Sequence, residues 1–213
     1  ALARAVITGL YDGRFSPGQR LVELDLVSAF HVSRSTVREA LAQLAQQGIV
    51  QNSPFKGASI HRLSHKEAGE ILAMLELLYG FACSLAAGAV HGPDSDPDRV
   101  ANFKNYLAKV LSHESRGDSL EFQKTRNLFF RALVDLTDNG KLRDTLRGLN
   151  IHLLRVQMRH FDIEGHRERF EDYRRMGECV LAGDKAAAEE AGRRYIIRVG
   201  EAVRRIPDRM FAQ

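Results

Sequence analysis

Cysteine is scarce in this chain and tryptophan is absent: of 213 residues only Cys83 and Cys179 are cysteines. They lie far apart within apolar helical patterns, which excludes a disulfide framework and reads as two reduced, packed side chains. No secretory signal is visible, and no apolar run is read as approaching the roughly 20 residues of a membrane span. A cytoplasmic protein with no membrane partner is the expectation. Enzyme signatures are missing as well: there is no G-x-S-x-G, no phosphate-binding glycine loop and no His/Cys/Asp/Glu cluster at metal-ligand spacing. The chain is therefore expected not to be an enzyme. Internal repeats and low-complexity stretches are also lacking, which leaves globular domains of ordinary size. The formal charge is only +4, yet residues 1–63 hold seven basic and four acidic side chains, so most of the surplus is N-terminal. Electrostatic contact with phosphate is the expected use of such a bias.

The most informative segment that is present is Val32-Ser33-Arg34-Ser35-Thr36-Val37-Arg38-Glu39-Ala40-Leu41. At about 100° per residue, Val37, Ala40, Leu41 and Leu44 fall on one helical arc, and Arg34, Ser35 and Arg38 fall on the adjacent one. The first arc packs and the second is offered outward. Ser33 has the chemistry of an N-cap, because its hydroxyl accepts from a free backbone N–H of the first turn. The remaining amide donors and the positive helix end suit an anion such as a phosphate. Arg34 and Arg38 then reach phosphates or the O6/N7 edge of guanine, as DNA recognition by a helix requires.

The flanking residues complete a winged helix-turn-helix. Ala1 to Tyr11 reads as a helix, with Leu2, Val6 and Leu10 at helical spacing and Gly13 as its stop. Pro17-Gly18 makes a turn. Glu23 to Phe30 is the first helix of the pair, with Leu26 and Phe30 facing in, and His31-Val32 connects it to the second. Beyond Gly48, Ile49 to Asn52 and Ala58 to Arg62 read as two short strands joined by Ser53-Pro54-Phe55-Lys56-Gly57, a wing with a lysine and a glycine at its tip.

These elements, namely Pro17-Gly18-Gln19-Arg20-Leu21, Val32 through Leu41, Gly48-Ile49-Val50 and Lys56-Gly57-Ala58, closely resemble the DNA-binding domain of GntR-family transcription regulators over residues 1 to about 63. The resemblance implies major-groove contacts from Ser33, Arg34, Ser35, Thr36 and Arg38, and minor-groove placement of Lys56 and Gly57. Two positions depart from the family pattern. Leu24 stands where the first helix usually carries arginine, which removes one contact, and His31 stands where the turn usually has glycine. His is less averse than most residues to the positive φ needed there.

Beyond Leu63 the chain reads as helical throughout. Ser64 and Glu67 form a capping-box start, and a long apolar helix with Ile71, Leu75, Leu78, Leu85 and Ala86 runs to the break at Gly92-Pro93. Further helices are expected at roughly 98–115, 119–137, 141–161, 166–182 and 185–205, punctuated by Asn139-Gly140 and Gly183-Asp184. The fold class is thus mostly α: a winged helix-turn-helix over 1–63, then an all-α antiparallel bundle over 64–213, with ligand sites between facing helices.

This second part resembles the all-helical effector domain of the FadR-like branch of the family, often called the FCD domain, on Phe129 before Asn139 and on Ala182-Gly183-Asp184 before an alanine-rich helix. Many members hold a divalent metal there with one Asp and three His. Alignment by resemblance puts Arg126 at the Asp position and Phe130, Tyr173 and Tyr195 at the His positions. None of these is an ordinary zinc ligand, so the metal site is expected to be lost, and a cation at position 126 opposes a metal by like-charge repulsion. The four residues suit a carboxylate clamp: a guanidinium fork with two phenol donors. The competing reading makes them core filler.

Arg155 and Arg159 recur with His152 at helical spacing and are candidate anion contacts, although a solvated face explains them as well. His160 and His166 straddle a helix end without a partner at metal spacing. The arginines from Arg193 to Arg205 alternate with Glu189, Glu190 and Glu201 in an ordinary charged helix face. The expected function is a ligand-responsive regulator, a repressor, binding a palindromic operator in double-stranded DNA as a homodimer with a small organic acid as effector. The alternatives are a DNA-binding dimer whose bundle only dimerises, and a metal-dependent variant with non-standard ligands.

Overall fold

The computed structural model describes residues 2–53, 57–115, 119–149, 151–158 and 166–212, apart from the side chains of His152 and His166. The described chain is mostly α and divides into two compact units. The first comprises Ala1–Ala68, Gly148–Phe161 and Pro207–Gln213, and the second Gly69–Arg147 and Asp162–Ile206. Sequence reading draws one boundary, after Leu63; in the structure two later segments, 148–161 and 207–213, belong with the first unit.

In the first unit, α1 (Leu2–Tyr11) buries Leu2, Val6 and Leu10. Helices α2 (Glu23–Phe30) and α3 (Arg34–Gln46) are joined through His31, which adopts the left-handed conformation at φ 51°, ψ 45° and donates its N–H to the Val27 carbonyl. Strands β1 (Val50–Ser53) and β2 (Gly57–Ile60) pair antiparallel, Val50 with Ile60 and Ser53 with Gly57. Strand β1 is shifted by one residue from its expected span and β2 is shorter than expected; Gln19 and Leu21 also bond to β2, with Ile60 donating to the Gln19 carbonyl and Leu21 to the Ala58 carbonyl, each at 2.8 Å. Leu10, Leu21, Leu26, Val37, Leu41, Leu44, Val50 and Ile60 are buried and fix the orientation of α3.

Gln157 explains why the later segments join this unit. It ends α8 (Ile151–Gln157), and its buried amide accepts from the Leu63 N–H at 2.9 Å and donates to the carbonyls of Leu63 and Met210 at 3.0 and 3.1 Å. The tail adds an Ala212 N–H bond to the Leu63 carbonyl at 3.0 Å, and Phe211 stacks on His65 at 3.6 Å between ring centres. The helix expected over 141–161 is two helices, α7 (Gly140–Gly148) and α8, with the break after a glycine, a poor helix former.

Helix α4 (His65–Val90) starts on the expected capping box: Glu67 N–H donates to Ser64 Oγ at 3.1 Å and Ser64 N–H to a Glu67 carboxylate oxygen at 2.8 Å. Burial pushes the Glu67 carboxyl up, but the Ser64 N–H and hydroxyl and His61 together outweigh it and hold it below its ordinary value of 4.5. A depressed carboxylate contributes stability above its unfolded pKa, and that stability is lost as pH falls through the lower folded value. Ser64→Ala is accordingly expected to cost about 1 kcal/mol at neutral pH and less below about pH 4; urea melts at the two pH values measure it.

The second unit also contains α5 (Pro97–Leu111), α6 (Leu120–Leu136), α9 (His166–Ala182) and α10 (Lys185–Val203). Asp96, Ser119 and Asp184 cap α5, α6 and α10 by accepting first-turn N–H bonds. Helix α5 packs on α6 and α9, and α9 on α10. One expectation is corrected here. Helix α4 is long and apolar enough, by length and composition, to cross a membrane. Its Leu72, Leu75, Tyr79, Ala82, Cys83, Ala86 and Val90 are nevertheless buried in the protein, and Glu76 pairs with Arg193 at 3.0 Å. Cys83 and Cys179 are free and buried; burial, reinforced by Cys179, pushes the Cys83 thiol up to about 12. Gly192 is required beside Cys83, since a Cβ there would lie 2.8 Å from both the Cys83 sulfur and the Tyr79 carbonyl oxygen.

Candidate functional site

At the N-terminus of α3, Ser33 Oγ accepts the Thr36 N–H at 3.1 Å and is also 2.8 Å from Ser35 Oγ and 2.9 Å from Thr36 Oγ1. One local network thus orders the whole first turn. Ser33, Arg34, Ser35, Thr36 and Arg38 are all exposed, while Val37, Ala40, Leu41 and Leu44 are buried, as the periodicity requires. Arg38 is not bare: its Nε donates to both Glu23 carboxylate oxygens at 3.2 and 3.0 Å, which leaves its two terminal amino groups out of the pair. Sequence reading missed Glu23, which stands fifteen residues away, although an acid at the start of the preceding helix was its only signal. A groove of about 400 Å³ runs from Arg38 and Glu23 past Arg20 and Asn52 to Gly57. Gly57 has φ +75° at the start of β2. Leu24 is exposed on α2. Lys56 lies outside the described residues.

In the second unit, the residues aligned with the metal positions come together from three helices. Phe130 of α6, Tyr173 of α9 and Tyr195 of α10 are buried. Their ring centres are 5.3 Å (Phe130–Tyr195), 5.6 Å (Tyr173–Tyr195) and 6.1 Å (Phe130–Tyr173) apart. Arg126, one turn before Phe130, places its guanidinium carbon 5.6 Å over the ring of Phe122, which in turn is 6.5 Å from Tyr173. The Arg126 Nε is buried without a hydrogen-bond partner. Of the two other candidates, Arg155 stands on α8 in the first unit, and Arg159 lies outside the described residues, as do His160 and the His166 side chain.

Three charged or polar residues here escaped sequence reading. Arg169 also lies over the Phe122 ring, at 5.2 Å, and His113 meets the same ring edge-on at 5.8 Å. Asp172 is buried and paired with Arg198 at 2.9 Å; burial raises its pKa, against the pull of Arg198 and Arg194. Arg169 was legible in principle, since it stands four residues before Tyr173 and so on its face of the helix. His113 was not, because it follows the last turn of α5.

These residues do not fit a divalent metal. A guanidinium and a phenyl ring offer no lone pair, and two phenols alone do not make a ligand set. Among the described residues no group of three or more His, Cys, Asp or Glu is placed to hold an ion.

A capped helix with outward arginines beside a two-stranded wing, followed by an all-helical unit, defines a winged helix-turn-helix transcription regulator. The chain matches the family described as "Bacterial regulatory proteins, gntR family" over residues 1–60 and the FCD domain over residues 70–198. It belongs to the GntR-family transcription regulators that carry an FCD domain. It is similar to the HTH-type transcriptional regulator YdhC of Bacillus subtilis, 28% identical over 186 residues, or 85% of this chain and 80% of that one. It is also similar to a probable D-xylose utilization operon transcriptional repressor of Paenarthrobacter nicotinovorans, 25% identical over 187 residues, covering 87% and 80%. Among solved structures, E. coli McbR/YncC shares the fold with a TM-score of 0.76 at 19% identity and 92% coverage of both chains. A putative GntR regulator from Rhodococcus sp. RHA1 does so at 0.75, with 22% identity and 94% coverage of both. These relatives are transcription regulators and not enzymes, in line with the missing catalytic motifs.

Proposed function

We propose that this regulator is a homodimeric repressor in the cytoplasm that binds a palindromic operator and responds to a small organic acid rather than a metal. The observation that carries the effector reading is Arg126: a buried guanidinium nitrogen without a hydrogen-bond partner, over the Phe122 ring, which in turn neighbours the packed Tyr173, at a position that the family resemblance aligns with a metal ligand. A carboxylate supplies the planar acceptor pair that a guanidinium fork lacks. In the head, Ser33, Arg34, Ser35, Thr36 and Arg38 form the major-groove face, with Lys56 and Gly57 at the minor groove; exposure and the free N-terminal donors of α3 support this. Met74, Leu77 and Phe81 expose an apolar stripe on α4, which supports a second copy covering it. Two-fold symmetry in the protein then implies a palindromic site. The repressor sign follows the name of the Paenarthrobacter relative. The acid acts by binding two head arrangements with different affinity.

Thermal melting of the purified protein with millimolar small organic acids tests this. A binding acid raises the Tm by mass action, and Arg126→Ala removes the rise while the ligand-free melt stays cooperative. Elemental analysis finding about one metal per chain, with chelator abolishing operator binding, would show the reading to be wrong.

A further inference from the structure

We infer that Arg20 is a further DNA contact, which seats a backbone phosphate at the base of the wing. The inference rests on the DNA-binding reading of the head above and deepens it. Residues 18–21 run along the edge of β2 that β1 leaves free. The Gly18 N–H donates to the Ile60 carbonyl at 2.9 Å, and the Ile60 and Leu21 N–H groups donate to the Gln19 and Ala58 carbonyls at 2.8 Å. Between these bonds Arg20 faces Ser59 across an antiparallel bridge, so its backbone is fixed to the wing sheet. Successive side chains on such a segment point to opposite faces. Leu21 is accordingly buried and Arg20 exposed.

The guanidinium reaches the start of β2. A Cβ built on Gly57 would stand 4.0 Å from both Nε and Nη2 of Arg20, so the missing side chain at position 57 leaves the group uncovered on that side. Arg20 also lines, with Arg38, the groove of about 400 Å³ between α3 and the wing. Three other cations of the head are already engaged. Arg14 pairs with Asp12 at 3.6 Å, Arg38 with Glu23 at 3.0 Å, and Arg62 donates to the Met210 carbonyl at 3.2 Å. The Arg20 side chain has no hydrogen bond or ion pair among the described residues. The one carboxylate lining its groove, Glu23, is held by Arg38. An exposed guanidinium on a fixed stem, with no acceptor of its own, suits a pair of phosphodiester oxygens, which its planar fork meets bidentately. Base edges are read by elements that enter a groove, whereas an arginine beside those elements meets the phosphates that flank them.

The test is fluorescence-anisotropy titration of the purified protein at several salt concentrations. Two probes are used: the duplex that the wild-type protein selects from a random-sequence pool, and a scrambled duplex of the same length and composition. Arg20→Gln and Arg20→Ala are expected to weaken both duplexes by the same factor. They are also expected to reduce the slope of log affinity against log salt by about 0.9 for each head bound, as one lost phosphate contact implies. Arg20→Lys keeps the charge and is expected to keep the slope. Melting temperatures of all three are expected to match the wild type, since the side chain bonds to nothing among the described residues. An unchanged slope in both neutral variants, or a loss confined to the selected duplex, overturns the inference. A melting temperature lowered in both neutral variants also overturns it, because Arg20 then serves the fold. Arg34→Ala is measured alongside. If it erases the preference for the selected duplex while the Arg20 variants behave as wild type, the inference falls and the reading of α3 stands. If neither position matters, both fall.

Discussion

Arg34→Ala is expected to lower affinity for the specific operator by about 1–3 kcal/mol, with the loss concentrated at one base position of each half-site. Arg34 is exposed in the first turn of α3, and no ion pair involving it is seen among the described residues. Its whole fork is therefore available to a base edge. Arg38→Ala is expected to cost a similar amount by a different route. The Arg38 Nε is held by Glu23 at 3.0 Å, so the terminal amino groups are presented in a restricted geometry and lose less entropy on contact. Glu23→Gln then gives a smaller loss of the same kind, which would mark Glu23 as a positioning residue. Lys56→Ala is expected to differ from all three, weakening every sequence alike and lowering the slope of affinity against salt. Gel-shift titrations on wild-type and base-substituted operators at two salt concentrations separate these effects. Unchanged affinity in both arginine variants would remove α3 from the role of recognition helix.

Gln157→Leu is expected to destabilise the first unit by roughly 1–3 kcal/mol, the cost of orphaning a buried polar group. The Leu63 and Met210 carbonyls each keep a second donor, Ala212 N–H and Arg62 Nε, when the amide is removed. The Leu63 N–H keeps none among the described residues: it donates to Gln157 Oε1 at 2.9 Å, and Leu63 is buried. Leucine nearly conserves the volume, so cavity formation adds little. Loss of the amide also releases one of the bonds holding the tail, and trypsin is expected to cut at Arg209 faster than in the wild type. A urea midpoint unchanged from wild type would show that the Leu63 N–H finds another partner. Gln157→Glu should be worse at neutral pH, because it turns an acceptor toward two carbonyls and buries a charge.

Much of the head was legible because its determinants are short-range. The Ser33 cap, the His31 turn and the alternation that buries Val37, Ala40, Leu41 and Leu44 all involve residues within a few positions of each other. The Ser64–Glu67 box and the Asp184 cap were readable for the same reason. Family resemblance went further and aligned Arg126, Phe130, Tyr173 and Tyr195; the three rings lie within 6.1 Å of one another, while Arg126 stands over Phe122. No local rule could have placed Phe122 beneath two guanidinium groups, or set His113 against its edge.

Sequence alone thus determined most helical segments, the capped starts at Ser33 and Ser64, and which face of α3 is offered outward, though not the break between α7 and α8, since backbone capping and side-chain periodicity act over three or four residues. Tertiary structure decided which distant residues share a site and which segments share a unit. Gln157 reaches Leu63 across 94 positions and Arg62 reaches the Met210 carbonyl across 148. Glu23 claims part of Arg38 across fifteen. Such pairings depend on how apolar faces pack in three dimensions, because burial rewards any close-packed arrangement of the right volume and carries no record of sequence distance.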